Sequence, residues 1–459
     1  MERRNAWKDY DKKDIKELEQ LCKGYRKFLD NGKTERECVK ELVKMAEGAG
    51  YVDVEEFRKS KKKPKKGDKI YAVNMKKAIA LFNIGSEPLV NGMNILGAHI
   101  DSPRMDVKQN PLYEDTDLAY LDTHYYGGIK KYQWVTLPLA IHGVVAKKDG
   151  EVVDVVVGED EKDPVFCVSD LLIHLAQDQM DKKGAKVVEG EQLDILVGSK
   201  PLPKEEKDAV KKTVLEVFKK KYDIEEEDFL SAELEIVPAG KARNMGFDES
   251  MIIGYGQDDR VCSYTSAVAM FDMINVKRTA CCLLVDKEEI GSVGATGMQS
   301  KFFENTVAEL MDMMGDYSEL KLKRTLANSF MLSSDVSAAF DPNYADAFEK
   351  KNCAYFGRGV VFNKFTGARG KSGSNDANAE YIGKLRKIMD DNNVAFQTAE
   401  LGKVDKGGGG TIAYILSLYD MNVIDSGVAV LNMHAPWEIT SKADIYEAYK
   451  SYKAFLKDA

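Results

Sequence analysis

Carboxylates and imidazoles in this 459-residue chain stand repeatedly at the ends of apolar runs. Residues 280–285, ACCLLV, carry no charge and read as a strand buried on both faces, and the chain then enters Asp286-Lys287-Glu288-Glu289. Two adjacent glutamates at the mouth of a buried strand are costly unless a cation or a proton transfer accounts for them. In open α/β sheets, ligands bind at the carboxyl ends of the strands. Taken alone, the pair also fits an ordinary solvated loop. Three further runs repeat the pattern: residues 94–101 end in His99-x-Asp101, residues 330–335 in Asp335, and residues 428–434 in His434. A period of two puts His99 and Asp101 on one side of an extended chain, where the carboxylate can orient the imidazole. A fifth piece, Gln257-Asp258-Asp259-Arg260, precedes Val261, Tyr264, Val268 and Phe271, spaced for one face of a helix. The Asp pair then lies at the helix start, where one aspartate can cap the helix and a carboxylate can bridge two cations.

Two histidines with several carboxylates and no cysteine suit a hard or borderline divalent ion: zinc first, manganese or cobalt as alternatives. The ligands divide evenly between two ions that share one carboxylate, and a pair of ions roughly 3.5–4 Å apart is a standard device for hydrolysis. One glutamate is left over to move protons. Spacing alone does not decide between Asp258 and Asp259 as the bridge, or between Glu288 and Glu289 as the base.

The ordered set GAHIDSPRMD, GQDDRVCSY, DKEEIGS, SSDVSAAFDPNYAD and NMHAPWE resembles the family of dinuclear zinc aminopeptidases that contains aspartyl aminopeptidase and vacuolar aminopeptidase I. The likeness runs from about Asn94 to the C-terminus, and the helical N-terminus is compatible with it. Motif by motif, it implies His99, Asp258 and Asp335 on one metal and Asp258, Glu289 and His434 on the other. Asp258 is then the bridge, Glu288 the general base and Asp101 the orienter of His99. It further implies an inserted dimerisation domain that sends one histidine into the partner's active site. The match is His174 in Asp170-Leu171-Leu172-Ile173-His174-Leu175, as a donor to the carbonyl oxygen or the developing oxyanion. His124 and His142 have no such match and are read as structural. The resembling proteins assemble as closed particles built from dimers, so a homo-oligomer, a dodecamer, is expected.

Composition agrees with such a protein. The chain of 51.2 kDa is long enough for two or three domains, each with a sizeable core. A net charge of −9 with both signs well represented favours neither nucleic acid nor an anionic membrane as partner. The lysine run of residues 60–69 reads as solvated surface. Seven cysteines, an odd number that includes the adjacent Cys281-Cys282, read as reduced thiols. No apolar run approaches the roughly 20 residues needed to span a bilayer, and the N-terminus has no signal-peptide core, so the cytoplasm is the expected compartment.

The elements that must position these residues follow from periodicity. Ile15, Leu18, Cys22, Tyr25 and Phe28 mark one face of a helix, and Thr34 with Glu37 makes a capping box for the next. Between Arg104 and about Gly254 the chain leaves the metal residues for a domain's length. Val-rich runs at 137–147 and 151–159 join through Lys148-Asp149-Gly150 as a hairpin, and helices are predicted over 169–180 and 205–222. After Asp258, helices and strands alternate. The expected fold is therefore α/β: a catalytic domain of residues 1–103 and 255–459, with a mainly parallel sheet flanked by helices, and an inserted mixed α+β dimerisation domain of residues 104–254.

Two loops bear on selectivity. Residues 363–375, NKFTGARGKSGSN, correspond to the region that in the family helps set the accepted N-terminal residue; Lys364, Arg369 and Lys371 either read a carboxylate side chain or keep the loop soluble. Gly407 to Gly410, ahead of a helix, lets the backbone approach a ligand or forms a flexible turn, and lacks the order of a nucleotide-binding loop. The expected activity is removal of N-terminal residues from peptides with a free amino group. The alternatives are a deacylase of N-acyl amino acids on the same metals and a catalytically silent oligomeric scaffold.

Overall fold

The computed structural model describes residues 3–459. The chain divides into two compact units, one of residues up to 101 with 242–433 and 438–459, the other of residues 102–241 with 434–437.

The first unit is built on a nine-stranded sheet with spatial order Val52–Asp53, Lys69–Asn74, Ala78–Asn83, Thr279–Val285, Met93–His99, Phe330–Ser333, Asn422–Gly427, Val360–Asn363, Phe396–Thr398. Five of its eight pairings are parallel and three antiparallel. The four central strands, Thr279–Val285 to Asn422–Gly427, run parallel to one another, so their carboxyl ends emerge on one edge. Thr279–Val285 and Met93–His99 are buried at every position, as uncharged runs covered on both faces must be. One row across the centre pairs Leu283, Gly97 and Ser333; a Cβ on Gly97 would come within 2.2 Å of the Met331 methyl, which would have to move aside.

Helices cover the sheet. Lys12–Asn31 starts on a capping box of Asp11 and Asp14 and buries Leu18, Leu21, Cys22, Tyr25, Phe28 and Leu29. Ile15, expected on that face, is instead exposed. The Thr34–Glu37 capping box forms at the start of Glu35–Gly48, as its sequence requires. Gln257–Asp272 is buried almost all round and packs beside the C-terminal helix Lys442–Asp458. A five-stranded sheet, Arg243–Met245, Met251–Gly254, Glu438–Ser441, Ala429–Leu431, Ser337–Ala338, completes the unit. Residues 242–254 therefore pair with the chain's C-terminal strands in this unit, whereas sequence placed them in the insertion.

The second unit carries a six-stranded antiparallel sheet, ordered Val152–Val157, Leu139–Ala146, Ala232–Pro238, Arg104–Asp115, Leu118–Tyr126, Ile195–Gly198, with the helix Ala209–Tyr222. The Lys148-Asp149-Gly150 hairpin is present. The helix predicted over 169–180 is not: the segment holds a three-residue turn, Ile173–Leu175, and one short helical turn, Gln177–Met180. All seven cysteines are free thiols. Among the described residues, no helix is long and apolar enough to cross a membrane.

Candidate metal centre

The carboxyl edge of the parallel strands gathers the residues that their spacing singled out. His99 ends its strand 1% exposed, and its Nε2 lies 3.2 Å from Asp258 Oδ1 and 4.0 Å from both Asp335 Oδ1 and Glu288 Oε2. His99, Asp258 and Asp335 each offer one ligand atom within 4.8 Å of the others, and so do His99, Glu288 and Glu289. On its far side the ring is held by Asp101: Nδ1 is 3.1 Å from the Asp101 carbonyl oxygen and 3.3 Å from Oδ1. An imidazole that donates from Nδ1 leaves Nε2 as the ligand atom.

Asp101 has a second task that spacing did not reveal. Its Oδ1 accepts from the backbone N–H of Glu288 (3.1 Å) and its Oδ2 from that of Glu289 (3.2 Å), so one buried carboxylate fixes both the imidazole and the turn bearing the two glutamates. The turn, Glu288–Ile290, follows Lys287 in the left-handed region. Glu288 keeps 16% of its side chain exposed against 1% for His99, so of the two it is the one a water molecule can reach.

Asp258 and Asp259 interrupt the helical backbone at the start of Gln257–Asp272, and their peptide is cis. Neither caps the helix; its N-cap is Gly256, with no side-chain bond. Asp259 instead accepts the His99 backbone N–H through Oδ2 (3.3 Å), while Ser263 Oγ donates to the His99 carbonyl (2.7 Å). The two aspartates thus divide the work, Asp258 facing the imidazole nitrogen and Asp259 the backbone behind it.

Electrostatics point to a cation. Burial alone would lower the His99 pKa, but hydrogen bonds to the Asp101 and Asp258 carboxylates hold it well above its ordinary value. Burial, reinforced by neighbouring carboxylates, pushes Asp259 and Asp335 well above theirs. A buried set of oxygen and nitrogen donors that can otherwise relax only by holding protons is what a divalent ion relieves, and the all-O/N set fits zinc, manganese or cobalt.

His434 lies between the paired strands Ala429–Leu431 and Glu438–Ser441, at φ +64°, and belongs to the second unit, where its Nδ1 is 2.8 Å from the Gly128 carbonyl oxygen. His174 stands in the exposed turn Ile173–Leu175 of that unit and makes no hydrogen bond among the described residues. His142 pairs with Glu159 (3.0 Å) and His124 meets the Tyr125 carbonyl (2.8 Å), as structural residues do. In the 363–375 loop, Lys371 is committed to Asp376 (3.1 Å) and the Phe365 ring, leaving Lys364 and Arg369 as its exposed cations with no ion pair among the described residues. Gly408, at φ +120°, lies against Gly367, where a Cβ would meet the carbonyl oxygen at 1.9 Å; Gly367 N–H donates to Gly409 O (2.8 Å), locking the two glycine-containing loops together. A buried aspartate missed in the sequence, Asp425, sits beside Ser333 and Asn363 in adjacent strands, and burial pushes its pKa up to about 7.

The family model Aminopeptidase I zinc metalloprotease (M18) matches residues 28–456. The chain belongs to the M18 aminopeptidase family. A Clostridium acetobutylicum protein named "Probable M18 family aminopeptidase 1" is 65% identical over 458 residues, covering 100% of this chain and 98% of that protein. The crystal structure of an M18-family aminopeptidase from Thermotoga maritima superposes with TM-score 0.96 at 43% identity, with 100% of both chains covered. The S. cerevesiae mApe1 dodecamer shares the fold, with TM-score 0.76 at 19% identity over 94% of this chain and 95% of that one. The M18 chain described here is accordingly an enzyme, an aminopeptidase of a zinc metalloprotease family, and its α/β architecture is that of the family.

Proposed function

We propose that this M18 aminopeptidase removes the N-terminal residue of peptides with a free amino group at a two-metal centre. His99 and Asp335 would hold one divalent ion and Glu289 and His434 the other, with Asp258 available to both. Zinc is the first candidate, with manganese or cobalt as alternatives. Bound there, the ions would polarise the first peptide carbonyl and bring water to reactivity near neutral pH. Glu288 takes the proton of the attacking water and passes it to the departing amine. Asp101 keeps Nε2 of His99 directed at its ion. His174, supplied by a second copy of the chain, donates to the carbonyl oxygen as negative charge develops on it. The working form is a homo-oligomer built from dimers, a dodecamer, in the cytoplasm, with the insertion, taken as residues 104–241 once 242–254 are assigned to the first unit, as its dimerisation domain.

The observation that carries this reading is the grip of Asp101 on three partners at once. One side chain holds His99 and both glutamate N–H groups while His99 Nε2 faces Asp258, so ligand and base are fixed together. The test is a panel of aminoacyl anilides and dipeptides, free and N-acetylated, given to chelated protein with zinc, manganese or cobalt restored. Metal-dependent cleavage of the free-amine set alone is expected. Cleavage of the acetylated set would move the site to deacylation of N-acyl amino acids, and silence with metal bound would leave a scaffold.

A further inference from the structure

A buried polar brace stands behind Asp258. Gln257 is fully buried, and its amide uses its whole hydrogen-bonding capacity. Nε2 donates to the carbonyl oxygens of Ile252 (3.1 Å) and Glu438 (2.6 Å), and Oε1 accepts from Thr440 Oγ1 (2.6 Å) and the Tyr25 hydroxyl (3.2 Å). Glu438, 1% exposed, accepts the backbone N–H of Asp258 through Oε2 at 3.0 Å. The first N–H groups of a helix have no partner within it, and the non-helical backbone at Asp258 and Asp259 leaves this one to be met from outside. A carboxylate at that end of a helix is also favoured by the helix dipole. The brace therefore runs from the N-terminal helix Lys12–Asn31, through Gln257 and the strand Glu438–Ser441, to the peptide of a proposed metal-bridging residue.

We propose that Glu438, with Gln257 and Tyr25 behind it, is a positioning residue for the metal centre: it fixes the Asp258 backbone and thereby the angle at which the Asp258 carboxylate is presented. The proposal rests on the two-metal reading above. It gives the buried glutamate of the NMHAPWE segment a task distinct from ligation, and it ties metal affinity to a helix more than 200 residues away in sequence.

The test compares Glu438→Leu, which removes the acceptor, with Glu438→Gln, which keeps a carbonyl oxygen for the Asp258 N–H. Zinc affinity is read by competition with a chromophoric chelator, and melting temperature is read with and without zinc. The Leu variant is expected to bind zinc about 10- to 100-fold more weakly and to lose most of the zinc-induced rise in melting temperature, with the Gln variant close to wild type. Tyr25→Phe, which deletes only the hydroxyl reaching Gln257, weakens zinc binding in the same direction by less and serves if the Leu variant does not fold. Wild-type zinc affinity in Glu438→Leu, with only the zinc-free melting temperature lowered, would make Glu438 merely structural and overturn the proposal. With an unfolded Leu variant, unchanged affinity in Tyr25→Phe would do the same. Wild-type protein that bound no zinc would overturn the two-metal reading and the proposal with it.

Discussion

The sheet edge around His99 and the turn around His174 are opposites. At the first, charged side chains are buried and hold one another: Asp101 alone makes contacts to His99, Glu288 and Glu289. At the second, apolar side chains stand in the open, Ile173 at 70% and Leu175 at 68% exposure, and the histidine between them is fixed by nothing in its own chain among the described residues. A buried carboxylate cluster is tolerable only if protons or a cation neutralise it. An exposed apolar turn is tolerable in isolation but marks a surface that gains by being covered. The first region is thus held together by its own chain, and the second is a stretch of apolar surface that the single chain leaves uncovered.

The difference can be broken most severely at Glu288. Glu288→Gln is expected to lower kcat by about 10²–10⁴-fold with zinc content unchanged, because only proton transfer is lost; near wild-type turnover would remove Glu288 from the mechanism. Next comes His174→Phe, expected to lower kcat by about 10²–10³-fold with both the zinc content and the melting temperature of the isolated subunit retained. Mixed with Glu288→Gln, it should regain part of the activity in mixed dimers. No recovery would mean that His174 acts within its own chain or not at all.

Two milder changes sharpen the contrast between buried charge and ordinary framework. Asp425 holds its proton up to about pH 7 in the folded chain, against an ordinary value of 3.8. The folded state thus binds that proton more tightly than the unfolded one, so its stabilising effect is full below about pH 4 and is lost as pH rises through 7. Asp425→Asn removes the titration, so its melting temperature should gain on wild type between pH 5 and pH 8.5. A gap that does not change with pH would contradict the assignment. Smallest is Thr34→Ala, which removes a helix cap that is not among the proposed ligands and should cost about 1 kcal/mol in urea unfolding, with zinc still bound.

Sequence made visible what lies along one strand and hid what lies between distant segments. Uncharged runs ending in His99, Glu288 and Asp335 converge because parallel central strands put their carboxyl ends on one edge, and that follows from local pattern alone. The capping box of Thr34 and Glu37 was equally readable, since a cap is a matter of four consecutive residues. Hidden were the bonds from Asp101 to the Glu288 turn, from Asp259 to the His99 N–H and from Glu438 to Asp258, each joining segments more than 150 residues apart. The 169–180 segment misled for a different reason. Leu171, Leu172, Ile173 and Leu175 have the apolar content of a packed helix, but in the single chain they stand exposed, with no core to hold a helix.

The proposed two-metal centre is tested most directly by titrating chelated protein with zinc and counting bound ions. Two equivalents are expected for wild type, one for Asp335→Asn, whose partner ion keeps its own ligands, and essentially none tightly held for Asp258→Asn, which removes the shared carboxylate. A single equivalent in wild type, or two retained by Asp258→Asn, would contradict a pair of ions bridged by Asp258.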